Sequence, residues 1–332
     1  AGWDHMTPGW PIETVLDETT KYAIEPNISV EQPPFFIQYR NVPSVLNWSS
    51  AAYGPDGFVI VANNSNIGAI SADGIEWQQT SLPSIASPNW TKVVYGNGAY
   101  VAIAENSAQG GRSTDGETWT TVTLPSSQPW IDLVWTGTVF YAISSNGEAA
   151  SSTDGQTWGS ATTGSTPSGA SSIAYGNGIY VIIAANAAHY STNGSTWSTA
   201  SPGVLSVNKV VYGNHRFVAI EVGSSVGVSA YSFDGATWYV STLPVTSSWR
   251  TVEYGQGVFV AISNNATDYA ESADGKIWTN RNDDSTVKTI TIGNYTAMAF
   301  GNPSNAPTWL AVESGSNNVA IIDTGAVAVV RP

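Results

Sequence analysis

Apolar positions in this chain come in short paired runs separated by turn residues. Val93-Val94-Tyr95 leads through Gly96-Asn97-Gly98 into Tyr100-Val101-Ala102-Ile103. Ile173-Ala174-Tyr175 leads in the same way through Gly176-Asn177-Gly178 into Tyr180-Val181-Ile182-Ile183. Tyr53-Gly54, Tyr212-Gly213 and Tyr254-Gly255 repeat the aromatic-glycine step, and Trp135-Thr136-Gly137 varies it. Asn-Gly between two β-rich runs predicts a hairpin, because both turn residues need positive φ. No stretch sustains the period of an amphipathic helix, and β-branched and aromatic residues fill the runs.

A heptapeptide recurs in phase with these hairpins. It reads Ser71-Ala-Asp73-Gly74-Ile-Glu-Trp77, Ser113-Thr-Asp115-Gly116-Glu-Thr-Trp119 and Ser152-Thr-Asp154-Gly155-Gln-Thr-Trp158. It continues as Ser191-Thr-Asn193-Gly194-Ser-Thr-Trp197, Ser232-Phe-Asp234-Gly235-Ala-Thr-Trp238 and Ser272-Ala-Asp274-Gly275-Lys-Ile-Trp278. Successive tryptophans lie 42, 39, 39, 41 and 40 residues apart. Asp-Gly and Asn-Gly again mark turns, so each period holds two hairpins, or four short strands. In the second repeat these are expected near 90–96, 99–105, 109–114 and 118–124. Four strands per period of this length is the unit of a propeller blade.

Residues 47–332 span almost seven periods, six clear and a seventh degenerate. In the seventh, Thr289–Asn294 is expected as the first strand and its turn. Ala297–Phe300 would be the second strand, Trp309–Val312 the third and Val319–Ile322 the fourth, with Glu313-Ser314 as a relic of the heptapeptide. Residues 1–46 form an N-terminal arm. Its Val42-Pro43-Ser44 then Trp48 matches Leu82-Pro83-Ser84 then Trp90, so Phe35–Asn41 reads as an orphan outer strand that could close the ring. The Ala326–Val330 run competes for that place. Closure removes an exposed sheet edge, which is the reason to expect one of them to pair with the last blade. The expected fold is all-β, a seven-bladed propeller of four-stranded antiparallel blades with an extended N-terminal arm.

The heptapeptide resembles the Asp-box (BNR) repeat of sialidase-like propellers, sortilin-type receptor domains, some xyloglucan hydrolases and a photosystem II assembly factor. The resemblance covers roughly 47–280. It implies a folding device on the blade periphery, away from the ligand site. Elementary chemistry agrees: the Asp carboxylate can accept N–H bonds of its own turn, Gly takes the left-handed position, and Trp buries a large ring. Asp73, Asp115, Asp154, Asn193, Asp234 and Asp274, with Trp77, Trp119, Trp158, Trp197, Trp238 and Trp278, are therefore expected to be structural. The wider repeat is also similar to propeller repeats of bacteriophage-encoded proteins, which implies a virion setting in tail, fibre or capsid surface.

Composition narrows the partners. The chain has 332 residues, 25 acidic against 11 basic, for a net charge of −14. Nucleic acid and anionic lipid both require cationic surface, so neither is expected as a partner. Only 11% of residues are charged, and Ser, Thr, Asn and Gly must cover the surface. There is no cysteine, so no disulfide supports the fold. No stretch is long and apolar enough for a membrane helix, and the first 30 residues lack the basic start and apolar run of a signal peptide.

The chain offers little for catalysis. A sialidase needs three arginines converging on a carboxylate and usually carries a Phe/Tyr-Arg-Ile-Pro motif. Here Tyr39-Arg40-Asn41-Val42-Pro43 has one residue too many, and Arg40, Arg216, Arg250 and Arg281 have no motif support. The acidic pair Asp283-Asp284 reads as a solvated loop, with a weak calcium site as the minor alternative. His5, His189 and His215 lack metal-ligand spacing. No phosphate loop or nucleophile elbow is present. No enzyme activity and no cofactor is expected.

Residues 1–46 carry Trp3, Trp10 and several prolines, and suit either an arm wrapped on its own propeller or a docking arm that orders on a partner. The expected function is a non-enzymatic structural or attachment protein of a tailed phage virion. Its partners would be other virion proteins and a host surface glycan or receptor. A carbohydrate-binding adhesin, extracellular in that case, and a sialidase-like glycoside hydrolase are the alternatives.

Overall fold

The computed structural model describes residues 36–160, 166–185, 187–200, 207–223, 227–264, 267–281, 293–303 and 307–323. Trp3, Trp10, His5, Asp283, Asp284 and the Ala326–Val330 run lie outside the described residues. In chain order the strands are β1 (Phe36–Gly54), β2 (Gly57–Asn63), β3 (Ile67–Ser71), β4 (Gln78–Ser81), β5 (Trp90–Gly96), β6 (Ala99–Ser113), β7 (Thr120–Trp135), β8 (Phe140–Ser144), β9 (Ala149–Ser152) and β10 (Gly159–Ser160). They continue as β11 (Ala170–Gly176), β12 (Ile179–Ala184), β13 (Ala187–Ser191), β14 (Ser198–Thr199), β15 (Lys209–Gly213), β16 (Arg216–Ile220), β17 (Val228–Ser232), β18 (Tyr239–Thr242), β19 (Trp249–Gly255), β20 (Val258–Ser263), β21 (Tyr269–Ser272), β22 (Thr279–Asn280), β23 (Tyr295–Gly301) and β24 (Thr308–Asp323).

The fold is an all-β propeller of four-stranded antiparallel blades, seen directly in β11–β14, β15–β18 and β19–β22. The count of separate sheets departs from the expected seven. Among the described residues hydrogen bonding gives five, three of four strands and two of six, in the orders β23-β24-β1-β2-β3-β4 and β10-β9-β8-β7-β6-β5. The cause is strand continuity. β7 pairs with β6 through Thr120–Thr123 and Gln128–Pro129, then with β8 through Trp130–Trp135. β1 pairs with β24 through Phe36–Asn41, then with β2 through Asn47–Gly54. Where a connection stays extended, ladder bonding carries one blade into the next.

Ring closure is resolved by the same strand. Phe36↔Asp323 through Asn41↔Asn318 form an antiparallel ladder, so the N-terminal segment supplies the outer strand beside β24. The expected layout of the degenerate unit is displaced by one strand. Ala297–Phe300 lie in β23, which pairs with Thr308–Glu313 as the first strand of its blade. Trp309–Val312 are then the second strand and Val319–Ile322 the third. Phe300-Gly301 is the aromatic-glycine step of this blade, and Asn294 precedes its first strand instead of turning out of it. Glu313-Ser314 sit within β24, not at a heptapeptide turn. In the second repeat the expected third strand is not separate: β6 runs on to Ser113 through register shifts between Glu105, Ser107 and Gln109.

Each second strand is the most buried in its blade. Phe58–Ala62, Val101–Ala104, Phe217–Ile220 and Phe259–Ile262 are fully enclosed between neighbouring sheets. Trp48, Trp90, Trp130, Trp249 and Trp309 are the largest fully buried side chains. A recurring bulge marks the first strands: register shifts fall at Trp48/Ser50, Trp90/Lys92, Trp130/Asp132, Ala170/Ser172, Trp249/Thr251 and Tyr295/Ala297. The extra residue re-aims a side chain at the adjacent blade. Thus Ser49 and Thr91 donate to the Trp90 and Trp130 carbonyls, and Thr296 donates to the Trp48 carbonyl, at 2.6, 3.1 and 2.6 Å.

Candidate functional site

The heptapeptide turns are self-contained. Asp115 Oδ1 accepts from Ser113 Oγ and from the Glu117 and Thr118 amides, at 2.9, 2.9 and 2.7 Å. The Gly116 amide donates to Ser113 Oγ, and Trp119 Nε1 donates back to the Gly116 carbonyl. Asp73, Asp154, Asp234 and Asp274 repeat the arrangement. In the Asn193 copy the amide oxygen accepts the same two backbone bonds without charge. The Thr118 and Thr157 amides lead in holding the Asp115 and Asp154 carboxyls below the usual range. For Asp234 and Asp274 burial pushes upward, and the turn amides outweigh it.

Trp238 and Trp278 are buried, while Trp77, Trp119, Trp158 and Trp197 are half-buried. None of these twelve residues lines the channel chamber described next. The inner hairpins reach toward them instead: Asn97 Nδ2 donates to the Thr153 carbonyl and Asn214 Nδ2 to the Ala273 carbonyl. Both sets of turns therefore share one face of the propeller.

On that face, the first strands open into a chamber of about 350 Å³. Its walls carry Tyr53, Tyr95, Trp135, Tyr175, Tyr212 and Phe300, the aromatic of the aromatic-glycine step from six first strands. Five of these rings, all but Tyr175, and the equivalent Tyr254 also serve packing. Tyr95, Trp135, Tyr212, Tyr254, Phe300 and Tyr53 fill the space beside Gly54, Gly96, Gly176, Gly213, Gly255 and Gly301 respectively, where any Cβ would collide. The periodic aromatic thus needs a glycine on its neighbour, which explains why the two residues recur together.

The floor of the chamber is charged. Lys92 Nζ lies 3.2 Å from Asp132 Oδ1, and Lys209 Nζ lies 3.9 Å from Oδ2. Asp132 is buried, and its oxygens also accept from the Leu133 amide, the Ile173 amide and Ser172 Oγ at 3.0, 3.1 and 3.1 Å. Burial pushes its carboxyl up, but Lys92, Lys209 and these amides outweigh burial and hold it below the usual range. Burial likewise opposes charge on Lys92, and Asp132 and Glu253 keep its pKa raised. Lys209 is lowered, first by the neighbouring Lys92 charge and then by burial. Burial raises the Glu253 carboxyl, which faces the same chamber.

This belt separates the aromatic chamber from a smaller space of about 70 Å³ on the far side, lined by Ser49, Thr91, Ser171 and Thr296. Asp132 also does structural work. Ser50 Oγ, Asp132 Oδ2 and Ser172 Oγ occupy one repeat position and accept from the Val93, Ile173 and Val210 amides of the adjacent strand.

The charged belt was not singled out in the sequence, although a signal existed. At the aligned position Ser50, Lys92, Asp132, Ser172 and Lys209 interrupt otherwise apolar strands. The arginines considered for a sialidase site are dispersed. Arg40 bonds Tyr39 and Gln38 on β1, Arg216 bonds backbone carbonyls, Arg250 borders a separate polar hollow, and Arg281 pairs with Glu271 at 2.6 Å. His189 lies on β13 and His215 in a hairpin turn, and neither lines the chamber. Among the described residues no cluster of three His, Cys, Asp or Glu could hold a metal ion, and no helix is long and apolar enough to cross a membrane.

A family model described as the DUF6242 beta propeller domain matches residues 71–206. No curated protein matches the chain. Among solved structures the chain is similar to virginiamycin B lyase from Staphylococcus aureus, at 12% identity and a TM-score of 0.72, covering 87% of this chain and 99% of that one. It is also similar to YCF48 bound to D1 peptide, at 13% identity and 0.68, covering 86% and 96%. YCF48 from Cyanidioschyzon merolae matches at 12% and 0.66, covering 88% and 99%. At these identities the likeness is one of fold.

Proposed function

We propose that the chain is a non-catalytic binding module, a ring of seven blades that offers its aromatic channel mouth to a partner segment. The observation that carries the reading is the convergence of one aromatic from each of six first strands on a single mouth, above a floor where Lys92 and Lys209 pair with Asp132. A rigid concave site of this kind binds by shape and aromatic contact. The blade count is supported by the succession of first strands about the channel, in which the aromatic of each packs on the glycine of its neighbour and Tyr53 packs on Gly301. Five sheets is then the number of ladder-bonded ribbons, since β1 and β7 each thread two blades. Axial views by electron microscopy with five lobes would refute the count.

The heptapeptide turns fit the Asp-box reading as peripheral folding devices, because each aspartate spends its oxygen on its own turn. The virion setting rests on the resemblance of the repeat to phage-encoded propellers. YCF48 is described as bound to a peptide, which supports a peptide-like occupant of the mouth at the level of fold. Peptide-display selection on the wild type and on Trp135→Ser tests the site. Peptides enriched on the wild type and lost on the variant are expected, and equal enrichment on both overturns it. Absence of the chain from purified virions would separately remove the virion setting while leaving the binding reading intact.

A catalytic second reading is favoured by Glu253, whose raised carboxyl faces the chamber as a general base would. A lyase of this fold has been captured with quinupristin. Incubation of quinupristin with this chain, followed by mass spectrometry, decides it: unchanged antibiotic dismisses that activity here.

A further inference from the structure

The repeat departs from itself at one junction. The second heptapeptide position holds Ala72, Thr114, Thr153, Thr192 or Ala273, but Phe233 in the fifth copy. The residue after the tryptophan is Gln78, Thr120, Gly159, Ser198 or Thr279, but Tyr239 in that copy. The residue before the tryptophan is Glu76 or threonine in five copies, but Ile277 in the sixth. All three are exposed, Phe233 by 51%, Tyr239 by 48% and Ile277 by 69%. Phe233 and Tyr239 both pack against Tyr231, and β18 runs beside the next heptapeptide turn, which carries Ile277, where Ser241 Oγ donates to the Lys276 carbonyl.

The side chains there are pre-organised. Tyr231 stacks on Tyr239 with centroids 5.3 Å apart and planes 23° apart, and meets Phe233 edge-on at 5.9 Å. Arg216 lies over Phe233 at 5.0 Å. Its Nη1 and Nε are fixed by the Asp274 and Asn214 carbonyls at 2.8 and 3.3 Å. Both partners are backbone groups and no carboxylate hydrogen-bonds the guanidinium directly, though its charge acts on the Asp274 carboxyl and helps to lower its pKa. The nearby Asp234 and Asp274 carboxylates accept from their own turn amides. In a chain of net charge −14, this is a cationic group held beside a flat aromatic surface.

We propose that Tyr239, Phe233 and Arg216 form a carbohydrate-binding platform for a carboxylate-bearing pyranose. The C–H face of the sugar would stack on Tyr239, supported from beneath by Tyr231. The uronate would meet the fixed guanidinium, whose planar donors suit a carboxylate. Aromatic groups that spend no rotamer entropy on binding, next to a locked cation, suit a polar and weakly hydrophobic ligand. The site is separate from the channel mouth, and its occupancy does not depend on the channel reading.

Galacturonate oligomers and neutral galactose oligomers, titrated calorimetrically into the whole chain, test the proposal. Saturable binding of the galacturonate oligomer is expected, and Tyr239→Ala should weaken it about tenfold, as expected for loss of a ring contact. Arg216→Gln should abolish the preference over the neutral oligomer. The variants change exposed or half-buried side chains, and thermal melts establish that each is folded. No saturable binding of either oligomer overturns the proposal. So does binding that survives both Tyr239→Ala and Phe233→Ala, or a protein cross-linked through Tyr239 when no sugar binds.

Discussion

The ring of Tyr53 fills the space that a Cβ on Gly301 would need, so two residues 248 positions apart in the chain fit together as side chain and absence of side chain. The same fit joins Tyr254 to Gly213 and Phe300 to Gly255. Fold closure and the aromatic lining of the channel therefore share one device. A ring that lines the mouth, such as Tyr53, is also a wedge between blades, and its removal affects both.

Gly213→Ala should destabilise the chain by roughly 1–3 kcal/mol, the range for overpacking a filled interior. Its backbone is not left-handed, so the cost comes from collision with the Tyr254 ring. Combining it with Tyr254→Ala should cost less than the sum of the two single changes. Denaturant unfolding of the double-mutant cycle reads this directly, and strict additivity would show that the ring and the glycine do not interact.

The turn aspartates should make the fold acid-sensitive. Asp115, Asp154, Asp234 and Asp274 have native pKa values below the ordinary 3.8. A depressed native pKa contributes stability that is complete above the unfolded pKa and is lost as pH falls through the native one. Melting temperature should therefore decline below about pH 4, with little pH dependence from these groups between pH 5 and 8, where their contribution is complete. Asp154→Asn copies the Asn193 turn, which keeps both backbone bonds without a titrating group. That variant should show a shallower acid decline than the wild type, and an identical pH profile would refute the assignment.

The repeat was legible because its turns impose strict chemistry. Asn97-Gly98 has positive φ at both residues, 43° and 74°, whereas in Asp115-Gly116 only the glycine does, at 74°, so the heptapeptide turn differs from the two-residue hairpin turn its Asp-Gly suggested. Strand boundaries were less legible where no such residue intervenes. Between Val122 and Pro129, Pro125 lacks the N–H for a ladder bond and pairing to β6 lapses from Leu124 to Ser127, yet β7 stays extended through it. The degenerate blade was misassigned by one strand because its hairpin between Gly301 and Thr308 lacks Asn-Gly, while Gly293-Asn294 supplies a misleading copy. The charged floor depends on residues from different blades: Lys92, Asp132 and Lys209 have no sequence proximity, and only alignment of the repeats places them on one level. The buried Trp48, Trp90 and Trp130 stand in register in the sequence, as the heptapeptide tryptophans do. The former are the more deeply enclosed set.

Asp132→Asn should be among the most damaging single changes. It keeps the shape and removes the charge that Lys92 and Lys209 face at 3.2 and 3.9 Å. Removing one partner of a buried ion pair typically costs about 3–5 kcal/mol, because the remaining charge is left uncompensated. The partial exposure of the two lysines, 24% and 26%, places the expected loss at or below the lower end of that range. Lys92→Met in the Asp132→Asn background should recover part of it. Urea unfolding at neutral pH checks both, and no recovery would mean that Asp132 acts through its bond to the Ile173 amide rather than through charge.

His215 offers a change in the opposite direction. It holds φ at 59° as the second residue of the hairpin between β15 and β16, a place filled by Gly98, Gly178 and Gly257 in other blades. A left-handed backbone costs a residue with a Cβ about 1–2 kcal/mol. Glycine relieves that strain but loosens the unfolded chain, which returns roughly 0.4–1 kcal/mol. His215→Gly should therefore stabilise the protein by about 0.5 kcal/mol, the balance of those two effects. Gly98→Ala provides the converse. No atom lies within 4 Å of the added Cβ, and φ is 74°, so its destabilisation should come from the backbone alone. Thermal melts of the two variants should shift in opposite directions. A fall for His215→Gly would mean that the imidazole makes a stabilising contact larger than the strain it imposes.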